Sequence, residues 1–301
     1  MAAETKVITT EEMTRIRERD FATLFGENIN GLLNMLKVTR RVEAVAGTVL
    51  KVRNVTGTLE NGDVDEGDVI PLSQYETADT PIGELSLKKW RKATTAEAIE
   101  KSGYAHAVNE TNAKALKDVQ KTIRQDFVNF LNTATGSISA TGTGLQAALA
   151  DGWGKMQVAY EDDDITPVYF LNPEDVASYL GTANIVAQTS FGFTYIENFL
   201  NLGTVIMSPR ITKGTYRATA AENLIAYYVN VNQANGLGDA FNFTTDPETG
   251  FIGVHEEPNY TRMQEETVMV AGVQILAEYP AGIVAGTITS AVSDDTKPEE
   301  P

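Results

Sequence analysis

"AGTVLKVRNVTGTLENGDVDEGDVIPLSQYE", residues 46–76, decides the fold. Its first half, residues 46–60, reads as an outgoing strand, and "DVIPLSQYE", residues 68–76, as the return. Between them lies an acidic, glycine-containing stretch where a hairpin tip belongs. Val49 and Val55 share a face with Lys51 and Arg53. Leu50 and Val52 share the other with Thr48 and Asn54. Neither face is cleanly apolar, so the ribbon does not cap a core in the usual way. Pro71 argues against a central strand. Thirteen strand residues at ~3.3 Å each reach about 40 Å. An isolated two-stranded ribbon is marginal in water, so one this long and polar is expected to lie on another molecule.

The acidic tip also raises the question of a calcium loop. Such a loop needs alternating oxygen ligands, glycine at position six and glutamate at position twelve. Counting from Asp63 puts Asp68 at six and Gln74 at twelve; counting from Asn61 puts Glu66 and Leu72 there. Neither register fits, and no helices flank the stretch. A solvated hairpin tip is the better reading.

The chain around the ribbon has 301 residues, 42% of them hydrophobic, with a net charge of -17, no cysteine and two histidines, His106 and His255. Length predicts about two domains. The charge disfavours a free-standing nucleic-acid binder. The lack of cysteine removes disulfides, thiolate metal sites and cysteine nucleophiles together. No apolar signal segment opens the sequence. The longest uncharged run, residues 127–150, is too rich in Thr, Gly, Ser and Asn to cross a membrane.

Upstream, residues 9–36 read as two helical pieces broken at Gly26 and Gly31, either an amphipathic core helix or an arm on a neighbour. Downstream, Thr94 and Glu97 have capping-box spacing and Gly103 a stop. A long helix follows, with Val108, Leu116, Val119, Ile123, Phe127, Phe130 and Leu131 apolar. From Leu116 the steps are three or four, giving one stripe along a spine for a sheet to cover. Residues 133–144, small apart from Ile138, read as a flexible connection and a domain boundary. A mixed α/β unit follows: a helix over 145–160 interrupted near Gly152, the buried strand "TPVYFL", the helix "NPEDVASYLG" capped by Asn172, and the strands "TVIMS" and "NLIAYYVNV". Residues 250–279 read as long strands returning to the spine, with "AGIVAGTIT" as a final strand. The tail "SDDTKPEEP" has a disorder-prone composition.

Candidate chemistry is sparse. "GTGLQA", Gly142–Ala147, matches a dinucleotide fingerprint but follows a helix and connector, where that motif needs a strand. "EDDD", Glu161–Asp164, reads as a solvated turn. In "VHEEP", neighbouring strand residues face opposite ways, so His255, Glu256 and Glu257 cannot all aim at one ion. The basic run Lys88, Lys89, Trp90, Arg91, Lys92 stands out in an acidic chain. Basic residues with an aromatic can touch nucleic acid; pairing with the acidic tip of another copy fits this chain better. The tip residues are Glu60, Asn61, Asp63, Asp65, Glu66 and Asp68. No catalytic, metal or cofactor-binding residue is assigned.

The order of parts, with "GTVLKVRNVTGTLENGDVDEGDVIPLSQYE" and "TPIGELSLKKWRKATTAEAIEKSGYAHAVNETNAKAL", resembles the major capsid proteins of tailed bacteriophages, of the Hong Kong 97 type, and in particular those of phages of low-GC Gram-positive bacteria. The resemblance covers roughly residues 25–290. It implies an α+β fold: N-terminal arm 1–45, E-loop 46–93, peripheral domain 94–136 and 241–290, inserted axial domain 137–240, and disordered tail 291–301. It also implies a structural, non-enzymatic shell protein. Its partners would be other copies of itself in pentamers and hexamers, with a scaffolding protein and a portal during assembly in the host bacterial cytoplasm. It would enclose DNA without sequence-specific binding or membrane contact, as part of the virion. The alternatives are an encapsulin-type nanocompartment shell, a nucleotide-dependent enzyme using "GTGLQA", a carboxylate-based hydrolase and a calcium-binding adhesion module.

Overall fold

The computed structural model describes residues 10–65, 67–134, 138–161, 164–180, 187–232, 236–246 and 248–289. The remaining part of the "EDDD" segment, Gly181 and the C-terminal tail lie outside them.

The chain opens with one helix, α1 (Thr10–Met35), not two. The expected break at Gly26 fails because the glycine is there for space: a Cβ would fall 2.5 Å from the Asp246 carboxylate. Phe21, Phe25, Ile29, Leu32 and Leu36 follow at steps of three or four and are all buried. The helix ends in paired reverse bonds, Lys37 N–H to Asn34 C=O (3.0 Å) and Val38 N–H to Leu33 C=O (2.8 Å), with Lys37 left-handed at φ 55°. This helix is therefore core in its own subunit, the first of the two readings open for residues 9–36.

The second central helix begins with a wide turn at Ala105–Glu110 and continues as α3 (Thr111–Thr133). Thr111 marks the change, its hydroxyl within bonding distance of the Ala107 (2.7 Å) and Val108 (2.9 Å) carbonyls. Most of the expected stripe is buried, Leu116, Val119, Ile123 and Phe127 with Leu131, while Phe130 is only partly buried. Before it, α2 (Ala96–Ser102) is capped by Thr95, whose Oγ1 accepts from Ala98 N–H at 3.3 Å, and stopped at Gly103. The cap is thus one residue later than expected; Thr94 is buried in the preceding strand.

Three sheets surround these helices. A three-stranded sheet runs β1 (Arg40–Glu43), β11 (Leu224–Tyr228), β15 (Val273–Ala277). A four-stranded sheet runs β12 (Thr244–Thr245), β13 (Ile252–Asn259), β14 (Gln264–Ala271), β4 (Lys88–Thr95). A seven-stranded sheet runs β5 (Ile138–Thr143), β16 (Val284–Thr289), β10 (Thr215–Ala220), β6 (Pro167–Leu171), β9 (Gly203–Met207), β8 (Phe193–Phe199), β7 (Gln188–Ser190). The ribbon, β2 (Val49–Thr58) with β3 (Gln74–Glu84), pairs with no other strand among the described residues. The short α6 (Leu237–Phe241) leads into β12.

Strand β6 shows how the layers share a core. All five of its residues are buried. Val168 and Phe170 face α1 and α3, with Phe127 edge-on to Phe170 at 5.4 Å. Tyr169 and Leu171 face the opposite way, onto α4 (Leu145–Ala159) and α5 (Pro173–Leu180). This period-two division, buried on both faces, is why "TPVYFL" reads as a continuous apolar run.

Several expectations shift. Half of the supposed flexible connection is strand β5, which pairs in parallel with β16. The final strand therefore completes the seven-stranded sheet and does not return with 250–279 to the spine. "NLIAYYVNV" leaves that sheet for the three-stranded one. Helix α4 runs unbroken through Gly152. A strand does precede "GTGLQA", so the objection to the fingerprint on that ground fails. The glycine has another explanation: a Cβ on Gly142 would fall 2.3 Å from Ala148 N, so it lets β5 lie on α4.

Candidate assembly surface and capsid fold

The ribbon is anchored at its root and bare at its tip. Leu50 and Leu85 are buried with Val229 and Leu276 in a small core of their own. Gly47 N–H to Leu85 C=O (2.8 Å) and Leu85 N–H to Thr48 C=O (3.0 Å) close the root. Ten cross-strand pairs then run from Val49↔Glu84 to Thr58↔Gln74, with a bulge where Lys51 pairs Pro81. The return strand starts at Gln74, later than the expected residue 68, so residues 59–73 form an irregular tip. The proline that argued against a central strand lies within it.

The tip residues Glu60, Asn61, Asp63, Asp65 and Asp68 are all exposed; Glu66 lies outside the described residues. Their polar bonds are local: Glu60 N–H to Ser73 Oγ (3.0 Å), Asp63 N–H to Asn61 Oδ1 (3.0 Å) and Asp68 N–H to Asp65 C=O (3.1 Å). Reasoning from charge missed the apolar half of the same tip. Leu59, Val69, Ile70 and Leu72 are 78%, 90%, 73% and 92% exposed, with Tyr75 beside them. The signal was present in "VIPL", but it was absorbed into a strand. So many large apolar side chains exposed within one loop, beside acidic residues, mark an interaction surface.

The basic run is not part of the ribbon. Strand β4 pairs along its length with β14, from Lys88↔Ala271 to Thr95↔Gln264. The strand period splits the five residues. Lys88, Trp90 and Lys92 are partly buried; Lys89 and Arg91 are exposed. Lys88 pairs with Asp126 on the spine. Lys92 donates to Val108 C=O (3.2 Å), Thr111 Oγ1 (2.7 Å) and Asn112 Oδ1, and burial lowers its pKa. Arg91 Nη2 donates to Glu266 Oε1 at 2.6 Å. Lysines that read as a docking patch thus fasten β4 to the spine, and Lys89 and Arg91 face outward.

Below β4 lies a carboxylate network. Glu18 and Glu256 are buried, and Glu18 accepts from Glu256 N–H and Thr244 Oγ1. Arg17 reaches Glu256 at 3.3 Å and lies over the Tyr104 ring, while burial pushes the Tyr104 hydroxyl up to about 12. His255 Nδ1 is 3.5 Å from Glu18, and His255 Nε2 is 3.4 Å from Glu257. These contacts tie α1 to β13.

Adjacent residues of β14 titrate in opposite senses. Three donors, Arg91, Gln264 and Asn259, hold Glu266 at about 2, below the ordinary 4.5. Burial and then Glu256 raise Glu265. The depressed group contributes stability above pH 4.5 and loses it as pH falls toward about 2. The raised group costs stability while ionised, and that cost disappears as pH falls through its folded pKa. Glu266→Gln is therefore expected to destabilise at pH 7, with the deficit fading near pH 2. Glu265→Gln is expected to stabilise at pH 7, with the gain fading at low pH. Urea melts of both variants across that range read the two signs directly; matching signs would contradict the assignment.

No protein-family profile and no curated protein sequence matches the chain. Solved structures do. The chain is similar to one from Gordonia phage Cozz (TM-score 0.55, 11% identity, covering 87% of this chain and 86% of that one). It is similar to the capsid of an empty GTA particle (TM-score 0.54, 9% identity, 84% and 88% covered). It is also similar to a virus-like particle from Pyrococcus furiosus (TM-score 0.51, 12% identity, 88% and 97% covered). The chain has the Hong Kong 97-type capsid fold. At such low identity the capsid fold is carried by the arrangement of spine, sheets and ribbon, with few shared residues.

Proposed function

We propose that the chain is the major capsid protein of a tailed bacteriophage, assembling through pentamers and hexamers into the icosahedral head shell of the virion. The observation that carries this is the ribbon: on a capsid fold, two strands project without a partner sheet and end in exposed Leu59, Val69, Ile70 and Leu72. Such a surface is costly in water and is covered in a symmetric assembly, where every copy offers the same acceptor. Residues 46–84 act as the E-loop. Helices α1, α2, α3 and α6 with the three- and four-stranded sheets form the peripheral part, and residues 138–220 with the final strand the axial part. The acidic tip meets outward-facing cations such as Lys89 and Arg91 of a neighbouring copy. A scaffolding protein and a portal take part in assembly in the host cytoplasm, and the shell encloses DNA without reading its sequence. The role is structural and not enzymatic.

Negative-stain imaging of the purified chain tests this reading, with closed particles or capsomers expected. Deleting residues 61–67 is expected to abolish particles and leave the melting temperature of the subunit unchanged, because the tip touches no core. Particles of normal size and stability from the deletion would defeat the ribbon's role. A second reading is an encapsulin-type cellular shell, because a virus-like particle from a cellular organism, Pyrococcus furiosus, has a similar fold. Encapsulated protein in place of nuclease-protected DNA would select it.

A further inference from the structure

A cleft of about 160 Å³ lies between the spine and the segment after β9, and its polar lining includes Lys121, Arg124, Gln125, Ser208 and Arg210. Its lining holds three cations and no carboxylate, in a chain of net charge -17. Lys121 and Arg124 are three apart on α3 and Gln125 four from Lys121, so one helix face presents all three. Arg210 enters from the other wall, just beyond β9.

Arg124 is built in rather than waving. It is partly buried and donates to Phe191 C=O, and its guanidinium lies 5.7 Å and 5.8 Å from the Phe191 and Phe193 ring centres. Burial lowers its pKa, and no carboxylate pair offsets it among the described residues. The nearby acid Asp118 is taken by Lys114 at 2.5 Å. Ser208 is 2% exposed, and its oxygen accepts from Arg210 N–H at 3.4 Å. The cleft thus presents a half-buried guanidinium with a fixed orientation, flanked by two further cations and by amide and hydroxyl groups.

We propose that this cleft binds a phosphate group, using Arg124, Lys121 and Arg210 as the charged donors and Gln125 and Ser208 as neutral ones. Arginine's planar fork suits phosphate oxygens, and a tetrahedral anion can meet donors from both walls. A carboxylate offers two oxygens in one plane and leaves one wall unanswered. The phosphate comes from a nucleic-acid backbone or from free phosphate. The backbone source rests on the shell reading, since an enclosed genome would supply phosphates at high local concentration. The site itself does not rest on that reading.

Titration of the full chain with inorganic phosphate, followed by ³¹P line broadening, reads the site whatever the assembly state. Anisotropy of a short labelled DNA duplex reads the backbone source, and imaging of the same sample reads the shell. The exposed pair Lys121→Gln/Arg210→Gln is expected to weaken phosphate about tenfold, as removal of a charge-assisted hydrogen bond does. If DNA is the source, the salt slope falls by about 0.9 for each phosphate no longer neutralised. Arg124→Lys keeps the charge and loses the fork, and is expected to weaken phosphate as well. Phosphate binding without DNA binding supports the cleft with free phosphate as its occupant. No phosphate binding by the native chain, or native affinity in the double variant, overturns the proposal. So does an acidic peptide of residues 58–73 that binds the cleft without competition from phosphate.

Discussion

A chain lacking residues 1–37 is expected not to fold. Removing an arm that only reached a neighbour would leave the subunit intact. Helix α1 is different. Phe25, Ile29, Leu32, Leu33 and Leu36 are 0% exposed and Phe21 is 9% exposed, all in the core that also holds Phe127, Phe170 and Ile252. Burying one such side chain stabilises by about 1.5–3 kcal/mol, so the six together contribute on the order of 10 kcal/mol. That equals the whole stability of a typical domain, about 5–15 kcal/mol. The cut also strips Arg17 and Glu18 from Glu256 and His255, leaving buried carboxylate without its partners. Insoluble protein, or a soluble species that binds ANS and melts without cooperativity, is the expected outcome. Phe25→Ala is the graded version, with an expected loss of about 3–5 kcal/mol in urea unfolding. A truncated chain that melts like the full one would restore the arm.

The spine, the ribbon and the buried strand were legible because each carries its own period. Leu116 to Leu131 keeps the helical step, and after its threonine "TPVYFL" is apolar at every position. The ribbon's two mixed faces said that it had no sheet of its own. What failed depended on contacts between distant parts. Gly26 and Gly152 read as breaks, but each is small because something from far along the chain presses on it: Asp246 in one case, Tyr216 in the other. The run 138–143 looked like a linker because small residues suit a flexible segment and a strand laid tightly on a helix equally well. The basic run read as a surface because strand alternation divides Lys88 and Lys92 from Lys89 and Arg91 only once β4 is known to lie on the spine. The cationic cleft was out of reach, since Lys121 and Arg210 meet only through the packing of α3 against β9.

Gly286→Val is expected to be the most damaging single substitution in the seven-stranded sheet. In the register of β10 and β16, Tyr216 stands opposite Gly286. Its ring lies over the glycine, so a Cβ there would fall 1.9 Å from Cε1 and 2.0 Å from Cζ. A mobile ring could turn aside, but this one is held. It is 0% exposed, and its hydroxyl donates to Ala148 C=O at 2.5 Å. On the far side Gly152 of α4 leaves room for that hydroxyl, which would sit 2.3 Å from a Cβ. The tyrosine is thus clamped between two glycines on different layers, covering the cross-strand glycine with its ring. Adding one methyl to a packed core costs about 1–3 kcal/mol, and Val adds a branched group directly into the ring plane, so the loss should exceed the upper figure. Since β16 is the strand that joins β5 to the rest of the sheet, the failure would detach β5 and the helix α4 laid on it together. Limited proteolysis should then cut within residues 138–160 in the variant and not in the native chain. The clamp also predicts its own rescue: Tyr216→Leu, harmful alone through its smaller volume and missing hydroxyl, should restore part of the stability of Gly286→Val. If the double variant is as unstable as the two losses added together, the ring is not what the valine strikes.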